Sequence, residues 1–221
     1  STSEMFGNSM PPQNELTPLN PQSPYAEAKV RAHNLCEIKR QQGFFVSDGI
    51  LFNHESERRG EEFITRKVIK KVAEMTIGRS NTLIFGNVES KRDWGYAPEY
   101  CEAILLMMQK DKPDSYVIAT GETHSIKELV DKAFECAEMD YEYVNLKDVH
   151  TDANKLVEAY EADKTKRYVI SLPKFYRPTE VNLLCGDASK AYKELGWKAT
   201  IMFDELVERM YDAEIERLKN G

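Results

Sequence analysis

A stretch that opens on Ser23-Pro24 and closes on Gly43, followed at once by the apolar run Phe44 to Phe52, constrains the fold more than any other feature of the chain. Ser as N-cap and Pro at the first helical position form a start signal, and the residues up to Gln42 are mostly helix formers, so a helix is predicted over 24–42. Ala28, Ala32, Leu35 and Cys36 fall on one face of it. The run at 44–52 contains Val46, Ile50 and Leu51 between Gly43 and Asn53, which suits a strand buried in a parallel sheet. The alternation continues with helices predicted over 61–75, 98–109 and 125–137 and strands over 82–85 and 116–120. Strands alternating with helices define an α/β architecture. Phe203, Leu206, Val207, Met210 and Tyr211 recur at helical spacing and predict a terminal amphipathic helix. The stretch 150–174, acidic and then basic around Lys164, Lys166 and Arg167, has little periodicity and is expected to be a surface insertion.

Composition narrows the function classes. A chain of 221 residues can bury a sizeable core, as one large domain or two small ones. No apolar run approaches the roughly 20 residues of a membrane helix, and Ser1 to Gly7 has neither the basic start nor the apolar stretch of a secretory signal. A chain with no membrane partner and a cytoplasmic location is therefore expected. The formal net charge of −7 argues against a nucleic-acid surface while leaving room for an anionic small molecule in a locally cationic pocket. Cys36, Cys101, Cys136 and Cys185 form no CxxC pair and have no His at metal-ligand spacing, so four buried, reduced thiols and no metal are expected.

Tyr25-Ala-Glu-Ala-Lys29 puts a phenol and an ammonium one turn apart on one face at the start of a helix. The cation and the helix N-terminus both favour phenolate, which would let Tyr25 act as a base. Such a pair arises often by chance, and Thr2-Ser3-Glu4, some twenty residues upstream, would alone be an ordinary strand-end turn. Together with Asn53-His54-Glu55-Ser56 after the next strand, however, they resemble, in residue type and order, the hydroxyl, phenol and ammonium of an extended short-chain dehydrogenase/reductase.

Six ordered segments make the pattern specific. Ser1-Thr-Ser-Glu-Met-Phe-Gly7, Ser23-Pro-Tyr-Ala-Glu-Ala-Lys29, Phe52-Asn-His-Glu-Ser-Glu-Arg-Arg-Gly60, Lys91-Arg-Asp-Trp-Gly95, Ile118-Ala-Thr-Gly-Glu122 and Tyr176-Arg-Pro-Thr-Glu180 cover nearly the whole chain. In sequence and order they resemble the signatures of the GDP-mannose 4,6-dehydratase family of extended short-chain dehydrogenases/reductases. The resemblance implies an α/β fold made of the C-terminal part of an NAD(P)-binding Rossmann fold, a parallel sheet with flanking helices, plus a smaller α/β substrate-binding lobe. The expected division is 1–58 for the Rossmann part with the catalytic residues and 59–221 mainly for the lobe, with about 82–120 returning to the Rossmann sheet.

What the resemblance implies for the site is also specific. Thr2, Glu4, Tyr25 and Lys29 would be catalytic: Tyr25 the base at the C4 hydroxyl, Lys29 its partner, Thr2 a hydrogen-bond donor near O4 and Glu4 the group that removes the C5 proton and expels the C6 hydroxyl. Lys29, His54 and Arg59 would contact NADP; Asn53, Lys67, Arg92, Arg177 and Glu180 would bind GDP-mannose around its diphosphate and ribose. Lys67, beside Arg66 and near Lys70 and Lys71, could equally be a solvated surface charge, and Trp94 reads as packing rather than as a stacking platform. Glu57 stands where the family usually has Pro, which bears on the placing of Arg59. A homodimer or homotetramer built on the Tyr25 helix would follow. No G-x-G-x-x-G or G-x-x-G-x-x-G run occurs, so the glycine-rich turn that anchors a dinucleotide pyrophosphate is expected to be missing, and the chain is expected to be inactive without it. A non-catalytic nucleotide-sugar-binding or oligomerising module, and a related GDP-sugar epimerase or reductase, are the alternatives; Thr2, Glu4, Tyr25 and Lys29 standing together in register favour the dehydratase.

Overall fold

The computed structural model describes residues 1–146, 153–176 and 183–220. In chain order, a short 3-10 helix, Ser3–Phe6, precedes α1 (Pro24–Gln41), β1 (Asp48–Leu51), β2 (Asn53–Glu55), α2 (Ile64–Thr76) and β3 (Thr82–Phe85). Then come β4 (Lys91–Arg92), β5 (Trp94–Tyr96), α3 (Ala97–Met108), β6 (Ser115–Ile118), β7 (His124–Ser125) and α4 (Ile126–Cys136). The chain continues with β8 (Glu142–Asn145), α5 (Ala153–Ala162), β9 (Tyr168–Ser171), α6 (Ser189–Leu195) and α7 (Phe203–Asn220). These residues form two compact units: Ser1–Ser56, Ser90–His124 and Thr179–Leu206 make the first, and Glu57–Glu89, Ser125–Pro178 and Val207–Gly221 the second.

In the first unit, β1 pairs in parallel with β6, Ile50 opposite Val117, and Thr2 bridges Leu51 in parallel from the other side. β2 pairs in parallel with β5, placing Asn53 opposite Trp94. One core cluster gathers Met5, Phe6, Ile50, Phe52, Val117 and Leu184, with Val30 of α1 packed on it. A second joins Tyr100 and Met107 of α3 to Tyr116, Ile118 and Trp197. Trp94 is buried and stacks on Phe203, which settles its part as packing.

In the second unit, β9 is the middle strand of a parallel sheet ordered β3-β9-β8. α4 begins with a capping box in which the Ser125 and Glu128 side chains satisfy each other's backbone N–H groups. α2 packs against α4 and β3, and Tyr211 of α7 shares a hydrogen bond with Thr76 at 2.9 Å. Among the described residues no helix is long and apolar enough to cross a membrane.

Three expectations need correction. The stretch 150–174 is no surface insertion: its described part supplies α5 and the fully buried β9, because the basic residues Lys164, Lys166 and Arg167 occupy the turn between them. The strand expected from Phe44 begins only at Asp48. Gly43 turns the chain at φ +87°, the Arg40 guanidinium takes the Val46 carbonyl, and Phe44 and Phe45 are left exposed. The α1 face that carries Leu35 is open, since Leu35 is 53% exposed and Ala26 is the helix's buried residue. α1 is tied to the sheet by polar contacts instead: the buried Asp48 carboxylate accepts from His33 Nδ1 at 2.7 Å, Arg40 Nη1 at 2.8 Å and Ser115 Oγ at 2.6 Å. Finally, the four cysteines are free as expected, but Cys101 is exposed and the other three are only half-buried.

Candidate active site

Thr2 and Glu4 owe their positions to the 3-10 helix at the sheet's end. Thr2 is extended, at φ −152° and ψ 147°, bridges β1 through Leu51, and caps the turn by accepting the Glu4 N–H on Oγ1 at 3.4 Å. Met5 and Phe6 point into the core, which fixes the turn and leaves the intervening Glu4 half-buried. Gly7 must be glycine: its φ is +52°, and a Cβ there would lie 1.9 Å from the Asn20 carbonyl oxygen.

α1 supplies the second pair. Ser23 Oγ accepts the Ala26 N–H at 3.1 Å and Pro24 opens the helix, so Tyr25 lies in its first turn. Lys29 Nζ sits 5.7 Å from the centre of the Tyr25 ring. Val30, the next residue, packs on the cluster holding Met5 and Phe6, and α1 contacts the 3-10 helix. Thus two elements, the 3-10 helix that carries Thr2 and Glu4 and the helix that carries Tyr25 and Lys29, pack against each other in the first unit. Tyr25 is 56% exposed, and among the described residues neither its hydroxyl nor the Lys29 ammonium makes a hydrogen bond. Both polar tips stay open for a ligand.

β2 contributes Asn53 and His54 to the same unit. His54 Nδ1 meets the Phe52 carbonyl oxygen at 2.8 Å and its ring stacks on Tyr100 at 5.1 Å, which sets the ring orientation. Arg92, on β4, donates from Nη1 to the Lys91 carbonyl at 2.9 Å. Two of the sequence-predicted residues belong to the second unit. Arg59 Cζ lies over the Phe63 ring, 3.4 Å from its centre, and Lys67 Nζ donates to the Ile84 carbonyl at 2.6 Å. Burial, reinforced by the charge of Lys71, lowers the Lys67 pKa, so this amine is no simple solvated surface charge. Arg177 and Glu180 lie outside the described residues.

Two residues without a role in the sequence reading hold the loops of the first unit. Gln13 is fully buried and its side chain spans the Ser9 carbonyl and the Cys185 N–H, while its backbone pairs with Cys185 and Asp187. Asp93, also fully buried, collects the N–H groups of Thr120, Gly121 and Gly186 together with the Thr120 hydroxyl. Burial raises the Asp93 pKa, and the four donors oppose that rise. Gln13 carries no sequence signal beyond its place in a Pro-rich loop; Asp93 could have been suspected as an acid between Arg92 and a buried Trp.

Comparison with known proteins is consistent throughout. The sequence profile of the GDP-mannose 4,6 dehydratase family matches residues 1–210. A GDP-mannose 4,6 dehydratase of Dictyostelium discoideum is 45% identical over the whole of this chain and 61% of its own length. GDP-mannose 4,6 dehydratase 1 of Arabidopsis thaliana is 42% identical over 99% of this chain and 54% of its own, and the Homo sapiens protein 41% identical over 100% and 58%. The chain thus spans little more than half the length of these relatives. Among solved structures, RMD from Pseudomonas aeruginosa complexed with NADPH superposes with a TM-score of 0.78 at 19% identity, covering 98% of this chain and 65% of that one. A dTDP-glucose 4,6-dehydratase from Bacillus anthracis in complex with NAD gives 0.74 at 17% identity, covering 99% and 61%. These likenesses establish an α/β fold of the Rossmann type.

Proposed function

The chain belongs to the GDP-mannose 4,6-dehydratase family, and from that premise we propose that it carries the sugar-side chemistry of a hydro-lyase converting GDP-mannose to GDP-4-keto-6-deoxymannose and water. The observation that supports this reading is the packing of the 3-10 helix, which carries Thr2 and Glu4, against α1, which carries Tyr25 and Lys29. The test is whether Glu4→Gln stops dehydration while GDP-mannose still binds.

The open phenol and ammonium of Tyr25 and Lys29 fit a nicotinamide ribose, and relatives of the same fold carry NADPH or NAD. We assign NADP, which when bound would accept a hydride from C4 of the mannose and return it at C6. Lys29 would hold the ribose and the Tyr25 oxygen, with His54 and Arg59 on the cofactor side. Tyr25 takes the proton of the C4 hydroxyl as the carbonyl forms. Thr2 donates its hydroxyl hydrogen toward O4, which stabilises charge gathering there. The 4-keto group acidifies the C5 proton; Glu4 removes it and passes a proton to the departing C6 hydroxyl, which leaves as water, and a proton is returned to C5 as C6 is reduced, balancing the one that Tyr25 took from the C4 hydroxyl. Asn53, Lys67, Arg92, Arg177 and Glu180 would grip the diphosphate and ribose, a task suited to ammonium and guanidinium donors.

The apolar side chains that α1 leaves exposed, Leu35 and Ile38, favour a homodimer or homotetramer built on this helix. Four unpaired thiols fit a reducing compartment, and we place the protein in the cytoplasm. The expected division at residue 58 stays part of this proposal, with the Rossmann part upstream carrying the catalytic residues.

A further inference from the structure

The turn that follows β2 is held by the last turns of α7. Glu214, 1% exposed, accepts from Arg66 Nη2 and from Arg217 Nη1, each at 2.5 Å. The second terminal nitrogen of Arg217, Nη2, donates to the Glu57 carbonyl oxygen at 3.1 Å. One planar guanidinium therefore ties a buried carboxylate to a backbone carbonyl with two separate N–H groups, a geometry that the single ammonium of Lys cannot reproduce. The carbonyl belongs to the first residue of the turn that leads to Arg59, whose own guanidinium lies 3.4 Å over Phe63. Because the bond uses the Glu57 backbone, it does not depend on the Glu57 side chain. Glu57, Arg66, Glu214 and Arg217 all belong to the second unit, and the family profile stops at residue 210.

We infer that Arg217, oriented by Glu214, is a positioning residue that fixes the 57–60 turn and with it Arg59. The inference rests on the proposal that Arg59 faces the cofactor. Glu214 is a poor point of attack, since its loss would strand Arg66, 4% exposed and with Nη1 already lacking a partner among the described residues. Arg217, with its side chain 51% exposed, can be changed without opening the core.

In the 221-residue chain, Arg217→Ala should speed amide exchange across 58–60 by about ten-fold and abolish the ring-current shift of the Arg59 guanidinium protons, with little change in melting temperature. Arg217→Lys keeps a cation for Glu214 but cannot bridge both acceptors, so the turn should loosen at wild-type melting temperature. Unchanged exchange and an unchanged Arg59 shift in both variants would overturn the inference. In a form joined to a dinucleotide-binding half, Arg217→Ala should weaken NADPH binding about five-fold without altering GDP-mannose affinity. Arg59→Ala is the control. If it weakens NADPH binding and Arg217→Ala does not, the positioning role is wrong; if it has no effect, the cofactor assignment of Arg59 fails while amide exchange still decides the anchorage.

Discussion

The Asp93 carboxylate receives the Gly186 N–H at 3.1 Å, a bond between two buried residues 93 positions apart. On the same oxygen it takes Gly121 N–H at 3.0 Å, and on the other the N–H and hydroxyl of Thr120 at 2.9 and 2.7 Å. Every acceptor position faces a donor. Asp93→Asn must turn an NH2 toward one of these pairs, setting donor against donor in a site without water access. The expected loss is about 3 kcal/mol, read as a lower denaturant midpoint with an unchanged slope. A midpoint within error of wild type would show that the loops are held by other contacts.

Asp48 links stability to pH. Burial raises its pKa, but hydrogen bonds from His33, Ser115 and Arg40 outweigh that effect and lower it from 3.8 to about 2. A carboxyl with a depressed folded pKa stabilises the fold above its unfolded pKa and loses that contribution as pH falls through the folded value. The contribution at neutral pH is about 2 kcal/mol. The stability gap between wild type and Asp48→Asn should therefore be widest at neutral pH and narrow steadily from about pH 4 toward pH 2. A gap independent of pH would mean that shape, not charge, makes this network.

Ile170 tests the assignment of β9 to the core. It is fully buried in the middle strand of the β3-β9-β8 sheet, packed in a cluster with Leu146, Tyr168 and Leu172. Ile170→Ala should cost about 3 kcal/mol in chemical denaturation, the range for a large-to-small change in a packed core. A loss below about 0.5 kcal/mol, the range of surface changes, would return this stretch to the surface.

The sequence reading succeeded where one local signal sufficed. Ser23-Pro24 marked the start of α1, Thr82 to Phe85 formed the strand expected, and the terminal helix buries the five residues whose spacing predicted it. It failed where a partner distant in sequence decides. The strand expected from Phe44 starts only at Asp48, whose carboxylate meets His33 and Arg40 of α1 and Ser115 of β6. β9, only four residues long and preceded by a basic turn, shows its burial pattern only once β3 and β8 flank it. For the site, motif order singles out Thr2, Glu4, Tyr25 and Lys29 as the proposed catalytic group, whereas Gln13 and Asp93 act through loops that are distant in sequence and carry no local signal.

Glu4 carries the heaviest chemical burden in the proposed reaction, since it removes a carbon-bound proton and helps a hydroxyl leave. The measurement that bears on this most directly is the yield of 4-keto product from GDP-mannose and NADP+, made with this chain joined to a dinucleotide-binding half. Wild type should give GDP-4-keto-6-deoxymannose, and Glu4→Gln should lower turnover by ~10³-fold with GDP-mannose affinity changed less than about three-fold. Wild-type turnover by Glu4→Gln would contradict the assignment of the elimination to the Thr2–Glu4 turn.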